Sequence, residues 1–279
     1  MTKGVVLFAY NNALVDYVGL AIKSTKLIKE HLNLPVTLVT DSSDWLNKTY
    51  PDDVALFDNI ISSLDNTTQK KRFYDGSLHY ELVPWKNSTR SNVYELTPYD
   101  ETLVIDVDYI LNSNYLLNLF KLDQDIALFK EAVDLSGWRK SSEFTYISNT
   151  SIPFYWATVF YFKKTTYSKL FFELIAFVKN NWNYYRVLYD IDTPTYRNDF
   201  AFSIAIHILN GYSCEKFIGT VPGNMYFTLD RDLLFKHQNN ACTFLIEKQN
   251  ALGEYTLLKT DNIDVHIMNK QSIMRVIWQ

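Results

Sequence analysis

Thr102-Leu103-Val104-Ile105-Asp106-Val107-Asp108 is an apolar strand that runs directly into two carboxylates. Its unbroken apolar character suits a strand covered on both faces, as in a parallel sheet. Alternate residues on an extended chain point the same way, so Asp106 and Asp108 can address one cation. A hard divalent ion prefers oxygen ligands and bridges readily to phosphate oxygens. There it neutralises a departing diphosphate as a Lewis acid. Asp-X-Asp by itself is usually a solvated turn. The preceding strand sets this one apart, because it delivers both carboxylates to the carboxyl edge of a sheet, where such folds bind ligands.

The flanking sequence supplies that sheet. Val5-Val6-Leu7-Phe8-Ala9 reads as a buried strand, and Val36 to Thr40, after Pro35, as a second. Between them Leu14, Tyr17, Val18, Ala21, Thr25, Ile28 and Leu32 fall at helical spacing on one face. This strand-helix-strand opening predicts an α/β fold with a doubly wound sheet. Asp41-Ser42-Ser43-Asp44 reads as a polar turn and Lys70 to Gly76 as a basic, aromatic loop. Val93 to Leu96 reads as a short helix, Ile126 to Phe129 and Trp156 to Phe162 as strands, and Gly137 to Ser142 as a loop. Tyr167, Leu170, Phe171, Leu174 and Val178 make one further helix face. Ala201, Ile204, Ala205 and Ile208 make another, ended by Gly211. Short strand signals fill the tail from Leu257 to Ile277. With no repeat and no linker, residues 1–279 read as one domain, with a nucleotide-binding half over roughly 1–115 and an acceptor half over roughly 116–279.

Bulk properties narrow the function classes. A net charge of −4 gives no global pull toward nucleic acid or an anionic membrane, so such contacts must rest on local patches. The only cysteines, Cys214 and Cys242, are too few and too far apart for a metal knuckle or a disulfide framework. Val5 to Ala9 is too short for a signal peptide's apolar region. Leu170 to Val178 is interrupted by Glu173 and cannot span a bilayer. A cytoplasmic location is expected, or the host cytoplasm if the chain is phage-encoded. Aromatic residues reach 16%; most belong to a bulky core, while those in loops are candidates for stacking on sugars or bases.

Several residues carry two readings. His266, in Asp264-Val265-His266-Ile267, is by spacing alone more simply a core or surface residue than a ligand. Asp199 either orients substrate hydroxyls or caps the helix of Ala201 and Ile204. Lys70, Lys71 and Arg72, interleaved with Phe73 and Tyr74, and Trp138-Arg139-Lys140 are either solvated loops or polyanion contacts. Asp16 reads as a polar-side residue of the first helix, and His79 and His207 as structural or surface residues.

Three stretches, in order along the chain, resemble the family 8 retaining glycosyltransferases, which include glycogenin and bacterial lipooligosaccharide galactosyltransferases. They are Phe8-Ala9-Tyr10-Asn11-Asn12-Ala13-Leu14-Val15-Asp16-Tyr17 with Ala21-Ile22-Lys23-Ser24; Tyr94 to Asp108; and Val265-His266. The resemblance implies a GT-A type, Rossmann-like mixed sheet flanked by helices, a nucleotide-sugar donor of the UDP-sugar type, and Mn2+ or Mg2+. It assigns Asp106, Asp108 and His266 as metal ligands. It places Ala9, Tyr10, Asn11, Arg90 and Val107 around the donor, Lys270 at its phosphates, and Asn198 and Asp199 in the catalytic segment. This chain departs from the family at Trp156, where an Asn is usual, and at Arg197-Asn198-Asp199, which matches Asp-Gln-Asp only in part. It also lacks the Gly and Lys-Pro-Trp that usually follow the His. It resembles, less specifically, glycosyltransferases carried by tailed phages, which implies a hydroxymethylated pyrimidine in DNA as acceptor. An oligosaccharide acceptor is the alternative. Two further classes stay open: a catalytically silent sugar-nucleotide-binding domain, and a nucleotidyltransferase. The latter usually carries a Gly-rich phosphate loop after its first strand, where Ala9-Tyr10-Asn11-Asn12 has no Gly.

Overall fold

The first strand, β1 (Lys3–Phe8), is buried from Val5 onward, and the chain turns from it into helix α1 (Tyr17–His31). Asp16 caps that helix by accepting from the Gly19 N–H at 3.0 Å, and it also accepts from Asn11 Nδ2 and the Tyr50 hydroxyl. Asp16 is therefore a cap and a local hub rather than a residue of the helix's polar side. Leu14 lies ahead of the helix, on the entry turn. The structure, a computed structural model, describes residues 1–64, 69–75, 79–86, 89–149, 151–214, 218–231 and 233–277, with only the backbone for 71–75, 79, 141 and 277.

Next come β2 (Val36–Thr40), α2 (Ser43–Thr49), β3 (Asn59–Ser62), β4 (Lys70–Asp75), β5 (His79–Pro84), α3 (Val93–Leu96), β6 (Glu101–Asp106) and β7 (Tyr109–Ile110). They are followed by β8 (Ile126–Phe129), β9 (Ala132–Asp134), β10 (Trp156–Lys163), α4 (Thr166–Asn180), α5 (Trp182–Leu188) and α6 (Asn198–Leu209). The chain ends in β11 (Gly219–Thr220), β12 (Met225–Thr228), β13 (Leu234–Gln238), β14 (Ala241–Lys248), β15 (Ala251–Asp261), β16 (Val265–Ile267) and α7 (Lys270–Ile277).

The architecture is the expected mixed α/β one. A seven-stranded sheet runs β11-β8-β10-β6-β1-β2-β3, with β1, β2, β3 and β6 parallel and β10 antiparallel to β6 and β8. A four-stranded sheet, β7-β16-β12-β9, stands beside the end of β6, and a three-stranded antiparallel sheet, β13-β14-β15, extends from it in sequence. The buried apolar residues form one cluster that reaches from Val5 to Ile273. Among the described residues no helix is long and apolar enough to cross a membrane.

Several local expectations are corrected. Ser43 and Asp44 begin α2 rather than a turn. Lys70 to Asp75 is not a loop but a strand paired antiparallel with β5; Gly76 lies outside the described residues. Ser141–Phe144, which overlaps the end of the expected 137–142 loop, is a 3-10 turn. The tail from Lys270 is helical: Ser272 and Ile273 turn into the protein, and Arg275 faces outward. On α4 the buried positions are Phe171, Phe172, Ile175 and Val178, with Leu170 exposed, so the apolar stripe is rotated from the predicted one. Phe171 and Phe172 pack against Phe202 of α6, and that contact fixes the helix's rotation.

Gly4 shows how tightly the sheet is covered. A Cβ there would overlap the Tyr99 ring, whose oxygen accepts from Thr37 Oγ1 at 2.9 Å inside the same layer. Gly4→Ala is expected to cost about 1–3 kcal/mol by overpacking. A urea-unfolding midpoint equal to that of the wild type would contradict this packing.

Candidate active site

Sheet register builds the site. Phe8 pairs with Asp106, so the chain leaving β1 at Ala9 and Tyr10 lies beside the chain leaving β6. Val159 of the antiparallel β10 pairs with Ile105, which brings Trp156, Ala157 and Thr158 to the same edge. His266 pairs with Tyr109, and the Ile267 N–H donates to the Asp108 carbonyl at 2.9 Å. A short strand late in the chain thus carries an imidazole to the Asp106-Val107-Asp108 turn.

These edges enclose a cavity of about 490 Å³. Asp106, Asp108 and His266 line it, and one ligand atom from each lies within 4.8 Å of the others. Two carboxylates and an imidazole, all oxygen and nitrogen donors, can hold a divalent cation. His266 is 7% exposed and its Nδ1 has no hydrogen-bond partner among the described residues. An imidazole held this way is simpler to explain as a ligand than as a satisfied core residue.

Cations surround the carboxylates. Lys270 Nζ lies 2.6 Å from Asp108 Oδ2 and 2.7 Å from the Met268 carbonyl, and His266 Nε2 lies 3.4 Å from the same Asp108 oxygen. Burial opposes ionisation of Asp108, but Lys270 and His266 outweigh it and hold the carboxyl well below its usual range. Burial also opposes the Lys270 charge, and Asp108 restores it, so the ammonium is held more firmly than usual. On the other side Arg90, 3% exposed, is ion-paired with Asp106 and donates to the Ala157 carbonyl. Burial lowers the Arg90 guanidinium to about 10, still charged at neutral pH.

Asp199 stands on the first turn of α6. Its Oδ1 accepts from the Ala157 N–H at 2.9 Å and its Oδ2 pairs with Arg197 at 2.9 Å. It does not cap its own helix, whose N-cap is Arg197. The backbone N–H and carbonyl of Ala157 therefore link Asp199 to Arg90, and Arg90 in turn reaches Asp106. Asn198 lines the cavity, and its Oδ1 accepts from the Tyr196 hydroxyl at 3.0 Å.

No family model and no curated protein matches the chain. Solved structures do. The chain is similar to the glycosyltransferase GlyE of Streptococcus pneumoniae TIGR4, at 14% identity and a TM-score of 0.44, over 79% of this chain and 45% of GlyE. It is similar to the galactosyltransferase LgtC in complex with donor and acceptor sugar analogs, at 13% identity and a TM-score of 0.45, over 84% of this chain and 76% of LgtC. It is also similar to the mannosyltransferase PcManGT from Pyrobaculum calidifontis in complex with GDP-Man and Mn2+, at 10% identity and a TM-score of 0.40, over 80% of this chain and 54% of that one. The chain thus spans less than half the length of GlyE.

Of the residues singled out from sequence, Tyr10, Arg90, Asp106, Val107, Asp108, Asn198, Asp199, His266 and Lys270 line one cavity. Ala9 and Asn11 are not in its lining. Ala9 is fully buried, with its N–H on the Val39 carbonyl, and the Asn11 amide is held by Asp16 and the Val18 N–H. Lys70 and Arg139 reach the lining; the side chains of Lys71 and Arg72 are outside the described residues. Arg139 lies over the Phe144 ring at 5.2 Å, and Arg231 over Trp138 at 4.3 Å. His207, read as structural, bonds the Tyr189 hydroxyl at 2.9 Å; the His79 side chain is outside the described residues. Sequence reading missed Tyr17, Trp85, Lys86, Phe144, Arg197 and Asp230 in the lining. Tyr17 was legible only as a helix-face residue, and Asp230 sits in a segment with no local signal.

Proposed function

We propose that the chain is a metal-dependent glycosyltransferase with a single GT-A type domain over residues 1–279, its nucleotide-binding half near 1–115 and its acceptor half near 116–279. One observation carries the reading: Asp106, Asp108 and His266 converge beside Lys270 and Arg90 in a cavity large enough for a sugar nucleotide. A bound divalent ion would neutralise the departing diphosphate. Asp106, Asp108 and His266 would hold that ion. Tyr10 and Val107 flank the nucleoside, and Trp156 and Thr158 shape the sugar pocket. Asp199 positions Ala157 and, through it, Arg90. In the reaction the bond between the sugar's anomeric carbon and the diphosphate oxygen breaks. A bond from that carbon to an acceptor oxygen forms, and the acceptor hydroxyl releases its proton.

The donor is a UDP-sugar and the acceptor a hydroxyl on a polymer, with a hydroxymethylated pyrimidine in DNA favoured. Arg139 beside Phe144, with Lys70 in the same lining, supports a phosphate-and-base track along the cavity. The chain then works in the cytoplasm where such DNA is made.

The test has two stages. UDP- and GDP-sugars are screened with Mn2+ for thermal stabilisation; a donor at 100 times its Kd adds about 2.7 kcal/mol. Labelled sugar transfer is then measured to hydroxymethylcytosine or hydroxymethyluracil DNA and to oligosaccharides. Transfer to DNA that falls steeply with salt supports the full reading. Transfer to oligosaccharides alone removes DNA and keeps glycosyl transfer. Failure of every sugar nucleotide to bind overturns the proposal, and release of pyrophosphate from a nucleoside triphosphate favours a nucleotidyltransferase instead.

A further inference from the structure

Lys270 is placed where it competes with the ion that the neighbouring residues would hold. Its ammonium is 2.6 Å from Asp108 Oδ2, the same oxygen that His266 Nε2 approaches at 3.4 Å. An Asp108 oxygen that could serve an Asp-Asp-His donor set is therefore already engaged by a cation. Asp106 is likewise paired, with Arg90. Each of the two carboxylates is thus matched by a cation, so a divalent ion meets resident positive charge beside its ligands. The cations differ in how they are held. Arg90 is also fixed to the Ala157 carbonyl, and its planar fork suits a static clamp. Lys270 is a point charge on a flexible stem, at the first residue of α7, with the Met268 carbonyl as its second acceptor.

We infer that Lys270 is an internal counter-ion that is handed over: it neutralises Asp108 and swings to the donor diphosphate when metal and nucleotide bind together. This rests on the glycosyltransferase reading and adds a linkage to it. The conformer able to take the metal is the one in which Lys270 has left Asp108. If that conformer is a minor fraction, metal affinity is reduced by that fraction. A diphosphate that attracts the ammonium raises the fraction, so nucleotide and metal strengthen each other's binding by the same factor. The pairing also keeps Asp108 from being an uncompensated buried charge.

The experiment is an EPR titration of Mn2+ against wild type and Lys270→Met, without nucleotide and with excess UDP, corrected for the Mn–UDP complex in a protein-free control. Lys270→Met is expected to bind Mn2+ alone about tenfold or more tightly than wild type, a coupling in the usual range. UDP is expected to raise Mn2+ affinity about tenfold in wild type and far less in the variant. A purely structural clamp would behave in the opposite way, with Mn2+ affinity falling once Lys270 is removed. Equal or weaker Mn2+ binding by Lys270→Met overturns the hand-over. So does a wild-type Mn2+ affinity that ignores UDP, a measurement that needs no variant and stands if Lys270→Met does not fold. The Mn2+-only arm involves no sugar and no transfer, so it separates the two readings. Binding without the expected gain sinks the hand-over alone, whereas no Mn2+ binding to either protein sinks the metal site and the hand-over together.

Discussion

Asp108→Asn is expected to lose Mn2+ binding and sugar transfer together, with transfer falling on the order of 10³-fold, the scale for losing one element that stabilises developing transition-state charge. From the sequence alone, little loss of folding is expected. The structure predicts otherwise. Asp108 is 5% exposed and its carboxylate compensates the buried ammonium of Lys270. Leaving that ammonium unpaired costs about 3–5 kcal/mol. Urea unfolding of the metal-free protein measures this directly. The double variant Asp108→Asn with Lys270→Met removes the stranded charge and should recover much of the stability while staying inactive. That non-additivity is the signature of a coupled pair. A metal-free midpoint unchanged in Asp108→Asn would mean that the pair is solvated, and strong transfer in excess EDTA would remove the metal from the mechanism.

Arg90→Met is expected to have the second large effect, this time mainly on the fold. The guanidinium lies among Asp106, the Ala157 carbonyl and the acidic field of Asp199 and Asp108. Its removal strands the Asp106 carboxylate and an inward carbonyl, at about 3–5 kcal/mol. Because Arg90 ties β6 to β10 across the cavity edge, the loss should appear in denaturant unfolding and in faster hydrogen exchange at the start of β10. Lys in its place should restore only part, since a single ammonium cannot serve both acceptors with the fork geometry of Arg. Wild-type stability in Arg90→Met would show that Asp106 is compensated by solvent.

Much of the frame is legible without coordinates. Val5 to Phe8, Val36 to Thr40 and Glu101 to Asp106 are strands because runs of buried apolar residues can be satisfied only between two covering layers. What escapes sequence reading has identifiable causes. Lys70 to Asp75 lacks the alternation of a half-buried strand, so its hairpin with β5 shows only in the pairing. α4 carries apolar residues on several sides, and only its contact with α6 selects Phe171, Phe172, Ile175 and Val178 for burial. Within residues 219–261, β11, β12 and β13 are short, and the longer β15 is mostly exposed, so no buried apolar run marks it in the sequence.

The division at the site follows the same physics. By itself the sequence determines that Asp106 and Asp108 stand together at the end of a buried strand, because their relation is local and set by two residues of extended backbone. Tertiary structure alone decides what meets them. The pairing of β7 with β16 brings His266, and after it Lys270, to Asp108. The antiparallel insertion of β10 presents the Ala157 N–H to Asp199 and the Ala157 carbonyl to Arg90. No spacing in the chain encodes those contacts. They arise because strands far apart in sequence must pair to satisfy their backbone hydrogen bonds, and the register of that pairing fixes which charges are buried side by side.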